Sequence, residues 1–278
     1  MITLIKIELY KIFRKWRTYI GFAAVTFLIL LIQFAVSIGE KDAASRLTNQ
    51  LSDSFLMVGN LLNGYFISYM ILNAIIVNIP FLIVLVAGDI LAGEATAGTY
   101  RILMTRPVSR FQVVLSKFLA SLIYSFMLIV WLAVLSLTLG LILFGSGELI
   151  VFQKGLIIFA KDDIFWRFIL AYLMAALTMC TVASLAFFFS SLVENAIGPI
   201  VTAMAIIIVF AILSAIPIDF FQTIKPYLFT NYIFSWNLFF EDTLNYTELL
   251  KALGVLIGHI VVLFGITAYI FEKKDILT

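Results

Sequence analysis

The sequence predicts an all-α integral membrane protein. Six transmembrane helices are joined by an N-terminal interfacial helix, a short cytoplasmic helix between spans two and three, and short extracellular re-entrant helices between spans five and six. Three observations lead there. Of the 278 residues, 63% are hydrophobic and only 12% charged, whereas soluble domains carry about 25% charged residues. Six mostly apolar runs reach the ~20 residues a helix needs to cross a bilayer. In lipid each backbone amide must find a partner within its own segment, which selects helices; the alternation of a membrane barrel is absent.

The chain reads as one membrane domain, 1–278, with no soluble domain and no visible internal repeat. Residues 1–17 are amphipathic. At helical spacing Ile2, Ile5, Leu9, Ile12, Phe13 and Trp16 share a face, and Lys6, Lys11, Lys15 and Arg17 fall mostly elsewhere. This predicts a helix lying flat on the membrane surface. The spans are expected at about 19–38, 64–88, 118–144, 164–189, 196–218 and 252–271. The first apolar run is too long for the core of a cleaved signal peptide, so it is read as a span.

Basic residues set the orientation. With the N-terminus inside, the cytoplasmic parts hold eleven bases against six acids, and the outer parts seven against ten. Both termini are therefore expected in the cytoplasm. A net charge of only +2 argues against nucleic acid as a partner. The lone Cys180 can form no intrachain disulfide, and zinc sites need more ligands than one cysteine and one histidine supply.

Three loops are expected outside. Gly39 to Phe55 reads as a short polar loop, and Gly145 to Asp163 as a mixed one in which Asp162 or Asp163 could cap the fourth span. The third, Asp219 to Lys251, holds ten aromatics, among them Phe229, Trp236 and Phe240. Pro217 and Pro226 rule out one continuous helix. Two readings stand: an aromatic belt at the bilayer surface, or one or two short helices dipping back into the membrane under protein cover. Asn245 and Glu248 fit a capping box opening the last span.

The segment Gly93 to Lys117 is polar and basic, and longer than a corner requires. From Leu91 to Met104 it can form a short helix, weakened by Gly93 and Gly98. Glu94 in its first turn and Arg101 near its end suit the helix dipole. Pro107 stops it, and Ser109 with Gln112 forms a capping-box candidate opening the third span. Gly93 to Thr99 superficially matches a phosphate loop, but Thr99 stands where the required lysine belongs and no strand precedes it.

Glu94, Gly98-Thr99, Arg106-Pro107-Val108-Ser109-Arg110 and Lys117 together resemble the signature of ABC-2 type permeases, the membrane subunits of type V ATP-binding-cassette exporters. The Glu8 to Tyr19 stretch, Ser190 to Asn195 and Phe271 to Ile276 resemble other parts of that family. Ser116 departs from a common glycine, and Glu194 from a common basic residue. The resemblance implies a dimer of two permease subunits, each driven by a separate ABC ATPase subunit that holds ATP and Mg; this chain would bind no cofactor itself. It also implies a coupling helix at about Ala92 to Met104, with Gly93, Glu94, Gly98, Thr99 and Arg101 at the ATPase contact and Glu194 and Asn195 in a second, smaller contact. Arg106, Arg110 and Lys117 are expected at the membrane surface beside lipid phosphates. The path would run between subunits along spans two and five, past Ser68, Asn73, Thr202 and Ser214, and would suit an apolar cargo such as a lipid or a peptide antibiotic.

Two other functions compete. An ion-coupled secondary transporter usually places ionisable groups in mid-membrane; only His259 lies there. A membrane anchor in which ATPase-driven motion does mechanical work is compatible with the same sequence. A membrane enzyme is disfavoured, because one Cys, one His and no clustered acids supply no nucleophile–base pair.

Overall fold

A computed structural model describes residues 1–52, 62–98, 108–153 and 155–273, with 40–52 described by backbone alone. Six helices among them are long and apolar enough to cross a membrane, and the protein is a nearly all-helical multi-pass membrane protein.

Helix α1 (Ile2–Arg14) turns at Lys15 into α2 (Trp16–Ser52). The Thr18 hydroxyl closes that corner by donating to the Ile12 carbonyl. The apolar part of α2 is Trp16–Gly39. Beyond it the helix continues where a polar loop was expected. Residues 40–52 contain no glycine or proline, and the isolated Gly39 costs only about 1 kcal/mol relative to alanine.

The second span is broken into α3 (Gly64–Ile75) and α4 (Ile79–Ala87). Pro80 is the cause: it lacks an N–H, and its ring excludes the carbonyl four residues back. Gly88 passes almost straight into α5 (Asp89–Thr96). The helix expected at Ala92 to Met104 thus begins earlier, at Asp89, and this stretch of it runs to Thr96. Gly98, at φ +65°, sits just past its end in the left-handed conformation that glycine adopts most readily. Residues 99–107 lie outside the described ones.

Helix α6 (Arg110–Phe144) opens with the expected capping box: Gln112 N–H donates to Ser109 Oγ at 3.2 Å, and Ser109 N–H to Gln112 Oε1 at 3.3 Å. Its Gly140 meets Gly64 backbone to backbone, so a Cβ added at Gly64 would fall 2.5 Å from the Gly140 carbonyl carbon. Small residues permit such close approach in membranes. A hairpin the sequence reading missed follows, β1 (Leu149–Phe152) paired antiparallel with β2 (Leu156–Phe159). Two short apolar, partly β-branched runs on either side of Gln153 to Gly155 were the available signal.

Helix α7 (Lys161–Leu192) is the hub, with 72% of its most apolar stretch buried against 22% for α8 (Ile197–Ala215) and 17% for α10 (Tyr246–Lys273). Asp162 and Asp163 do not cap α7; the N-cap is Ala160, and Asp163 instead pairs with Arg167 at 2.8 Å. Asn245 does serve α10, accepting the Glu248 N–H at 3.2 Å.

Between α8 and α10 lie α9 (Asp219–Ile224) and three short 3₁₀ turns, Lys225–Tyr227, Phe229–Tyr232 and Ser235–Phe240. The last two turns fold back into the bundle, whereas α9 and Lys225–Tyr227 hold no buried residue. Thr178, midway along α7, donates to the Tyr232 carbonyl at 3.4 Å. Phe229 lies 5.9 Å from the ring of His259, midway along α10. Trp236 and Phe240 are fully buried, against Tyr69 and Phe168. Arg167 pins the exit of this re-entrant segment: its Nη1 donates to the carbonyls of Phe239 and Glu241 at 2.8 and 3.0 Å, and its guanidinium lies over the Phe159 ring of the hairpin.

Candidate coupling site

At the end of the bundle that carries α1 and the last turn of α10, the helices α1, α5 and α6 share one ionic cluster. In α1, Glu8 and Lys11 stand one turn apart; Glu8 is buried beside Ile12 and Lys11 is half-exposed. The i, i+3 spacing puts them on one surface. Lys117, two turns into α6, has a wholly buried side chain. Its Nζ lies 2.7 Å from Glu8 Oε2 and 2.6 Å from Glu94 Oε1. Lys11 bridges the same two carboxylates at 2.9 Å each. A buried ammonium is tolerable only with such partners.

Asp89, at the start of α5, holds the α1–α2 corner through Lys15 at 2.7 Å and Arg17 at 3.2 Å. The three carboxylates are inward, with side chains 10–14% exposed, while Lys11, Lys15 and Arg17 are 42–50% exposed. Burial alone would lower the Lys11 ammonium, but its hydrogen bonds to Glu8 and Glu94 more than offset this and hold it above its ordinary value.

On its other side α5 is fastened to α7. Ser190 Oγ donates to the Gly88 carbonyl at 2.6 Å and accepts from the N–H groups of Leu91 and Ala92 at 3.1 and 2.9 Å. It acts as an N-cap supplied by another helix, for a helix start with no capping side chain of its own. Thr96 Oγ1 donates to the Glu194 carbonyl at 2.7 Å. The two connecting segments at this end are therefore joined.

The predicted site residues divide accordingly. Glu94 is committed to Lys11 and Lys117. Gly93 leaves room for the Asp89 carboxylate, since a Cβ there would lie 2.5 Å from Asp89 Oδ1. Glu194 and Asn195 are exposed, and Asn195 Oδ1 accepts the Ile197 N–H. Gly98 is exposed at the end of the helix. Thr99, Arg101 and Arg106 lie outside the described residues. Arg110 reaches the Glu272 carbonyl at 3.0 Å, at the end of α10. Lys117 departs from its expected place beside lipid phosphates, because α1 covers it and two carboxylates hold it inside.

Of the path candidates, Ser68 is fully buried and bonds the carbonyls of Gly64 and Ser136. It serves the contact of α3 with α6 and lines no open path. Asn73 and Thr202 are exposed on α3 and α8, and half-buried Ser214 sits 3.3 Å from Thr230 of the re-entrant segment. His259 is satisfied by the Val255 carbonyl at 2.8 Å.

Glu8, Lys11, Asp89 and Ser190 were not singled out from sequence. Glu8 carried a signal: it is the sole acid in the first 39 residues, on a helix whose other charged side chains are all bases.

A family profile described as ABC-2 family transporter protein matches residues 2–276. The uncharacterized protein YhcI of Bacillus subtilis (strain 168) is 28% identical over 204 residues, covering 69% of this chain and 63% of the relative. The chain thus spans less than two thirds of that relative's length.

Proposed function

This chain belongs to the ABC-2 family of transporter proteins, and on that premise we propose that it is the permease subunit of an ATP-driven exporter whose ATPase is a separate polypeptide. The observation that supports this most is the double fastening of α5. One side is held to α1 and α6 through Glu94 and Lys117, the other to α7 through Ser190 and Thr96. A push on α5 or on the residues after it is delivered to three helices at once. Nothing in the cluster is arranged for chemistry: its carboxylates are neutralised by lysines and its hydroxyl is engaged by backbone.

In this reading the end carrying α1 and the last turn of α10 faces the cytoplasm, as the excess of bases there requires. The exposed Glu194, Asn195 and Gly98, with Thr99 and Arg101, meet the ATPase, which binds ATP and Mg. Gly93 and Glu94 act one step behind, by keeping α5 in place. A second permease subunit covers exposed Asn73, since a polar side chain facing hydrocarbon is costly, and lies over exposed Thr202, whose hydroxyl donates to the Gly198 carbonyl. The cargo is apolar or amphipathic, a lipid or a peptide antibiotic, because no carboxylate or ammonium lies mid-span.

The test is reconstitution in liposomes with a co-purified ATPase. The proposal expects cargo movement that requires ATP. Movement under a proton or sodium gradient with the ATPase left out would identify an ion-coupled carrier. Stimulated hydrolysis with no cargo moved would point to an anchor doing mechanical work.

A further inference from the structure

Between α1 and α5 lies a cleft of about 410 Å³, lined by Tyr10, Lys11, Arg14, Lys15, Gly93 and Glu94 among others. The cluster around it holds five cations (Lys11, Arg14, Lys15, Arg17, Lys117) against three carboxylates (Glu8, Asp89, Glu94). The carboxylates point inward and the outer cations are half-exposed. What the cleft presents is therefore cationic, although it contains acids. Arg14 is exposed, and among the described residues no acid pairs with it. Bulky amphipathic side chains flank these bases: Trp16 is 81% exposed and Tyr10 67%. Cations beside exposed tryptophan and tyrosine, at the corner where an amphipathic helix turns into a span, match the chemistry of the headgroup layer.

We propose that this cleft binds the phosphate of an anionic membrane lipid, with Arg14 and Lys15 on the phosphate and the acyl chains lying along the exposed face of α2. A guanidinium binds a phosphate oxygen pair through two parallel N–H groups. Exposed Ile20, Phe27 and Leu31 give the chains an apolar track below the headgroup. Because Lys15 also holds Asp89 and Lys11 also holds Glu94, a bound headgroup neutralises the surplus charge at the joint between α1 and α5 and stiffens it. The proposal rests on α1 lying at the membrane surface, but not on the ATPase.

The experiment is native mass spectrometry of the full chain, released from detergent micelles containing equal phosphatidylglycerol and phosphatidylcholine. The wild type is expected to retain phosphatidylglycerol preferentially. Arg14→Ala should reduce that retention about five-fold, the worth of one basic residue against an anionic surface. Lys6→Ala, on an exposed base outside the cleft lining, should leave it unchanged. Thermal unfolding of each variant checks that the fold is kept; Arg14 is exposed, so it should be. Equal retention of both lipids, or equal loss in the Lys6 and Arg14 variants, would overturn the proposal. So would an Arg14→Glu variant that loses its co-purifying ATPase while lipid selectivity stays intact, since the cleft would then belong to a protein partner. Inorganic phosphate that displaces the lipid at equal concentration would likewise remove the lipid from the account. A lost ATP requirement for transport, with lipid selectivity intact, would defeat the exporter reading alone.

Discussion

Glu94 and Lys117 meet at 2.6 Å, one near the start and the other past the end of the long segment that joins the second and third spans. The pair closes that segment into a loop with fixed ends, and α1 covers the closure through Glu8. The two residues that frame the family-like signature thus act on each other before either acts on anything outside the chain.

Lys117→Met should be strongly destabilising. It leaves Glu8 and Glu94 facing each other with only Lys11 between them, and removal of one partner from a buried ion pair costs on the order of 3–5 kcal/mol. The check is thermal unfolding in lipid nanodiscs. Adding Glu94→Gln to Lys117→Met should recover part of the loss. An unchanged midpoint in the single variant would contradict the assignment.

The part of the α1 docking that Lys11 supplies should depend on pH. Lys11 is held above its ordinary 10.5 by Glu8 and Glu94, so the stability it contributes is fully present below pH 10.5 and is lost as pH rises through the higher folded value. Hydrogen exchange across residues 2–14, taken relative to its base-catalysed rate in an unfolded chain, should therefore be flat through neutral pH and rise in strong alkali. Lys11→Met should remove the part of that rise that comes from Lys11.

Ser190→Ala should loosen the start of α5 with little effect elsewhere. It strips a buried hydroxyl from two N–H groups and one carbonyl, a loss of about 1–3 kcal/mol. Amide exchange at Leu91 and Ala92 should quicken about ten-fold or more, in line with that figure. In the reconstituted system, transport should fall while the ATPase still co-purifies. If exchange there matched the wild type, the cross-helix cap would have no energetic content.

Gly64→Val should separate α3 from α6. Its Cβ would fall within 2.6 Å of Gly140 and Leu141 backbone atoms, which cannot swing aside as a side chain would. Overpacking of this kind costs about 1–3 kcal/mol and often more. Lower yield and a lower unfolding midpoint are expected; a variant as stable as wild type would disprove the close approach.

Arg167→Lys should release the re-entrant segment almost as fully as Arg167→Met. A single ammonium cannot reproduce a guanidinium that bonds Asp163 and two carbonyls from separate nitrogens. Exchange across residues 229–241 should rise in both. Full protection in the lysine variant would show that charge alone suffices.

Much of the architecture was legible in the sequence because the bilayer imposes one strong rule on composition. The six spans and the Ser109 cap follow from local pattern, whereas the aromatic segment left a surface belt and an inward fold equally open. What escaped has a common cause. Lys117 reads as a surface lysine because its partners Glu8 and Glu94 lie far off in the chain. Ser190 reads as one hydroxyl among many until α5 is laid against it. The kink at Pro80 was written in one residue, yet the apolar run continues through it and hid the break. The hairpin was lost because two four-residue strands are too short to stand out beside helices of thirty.

The placement of α7 has a consequence for how the molecule comes apart. A rod enclosed on most sides by its neighbours leaves no pair of separable halves. A chain cut between α6 and α7 should yield two fragments that each lack a core, and that hold together only when made side by side.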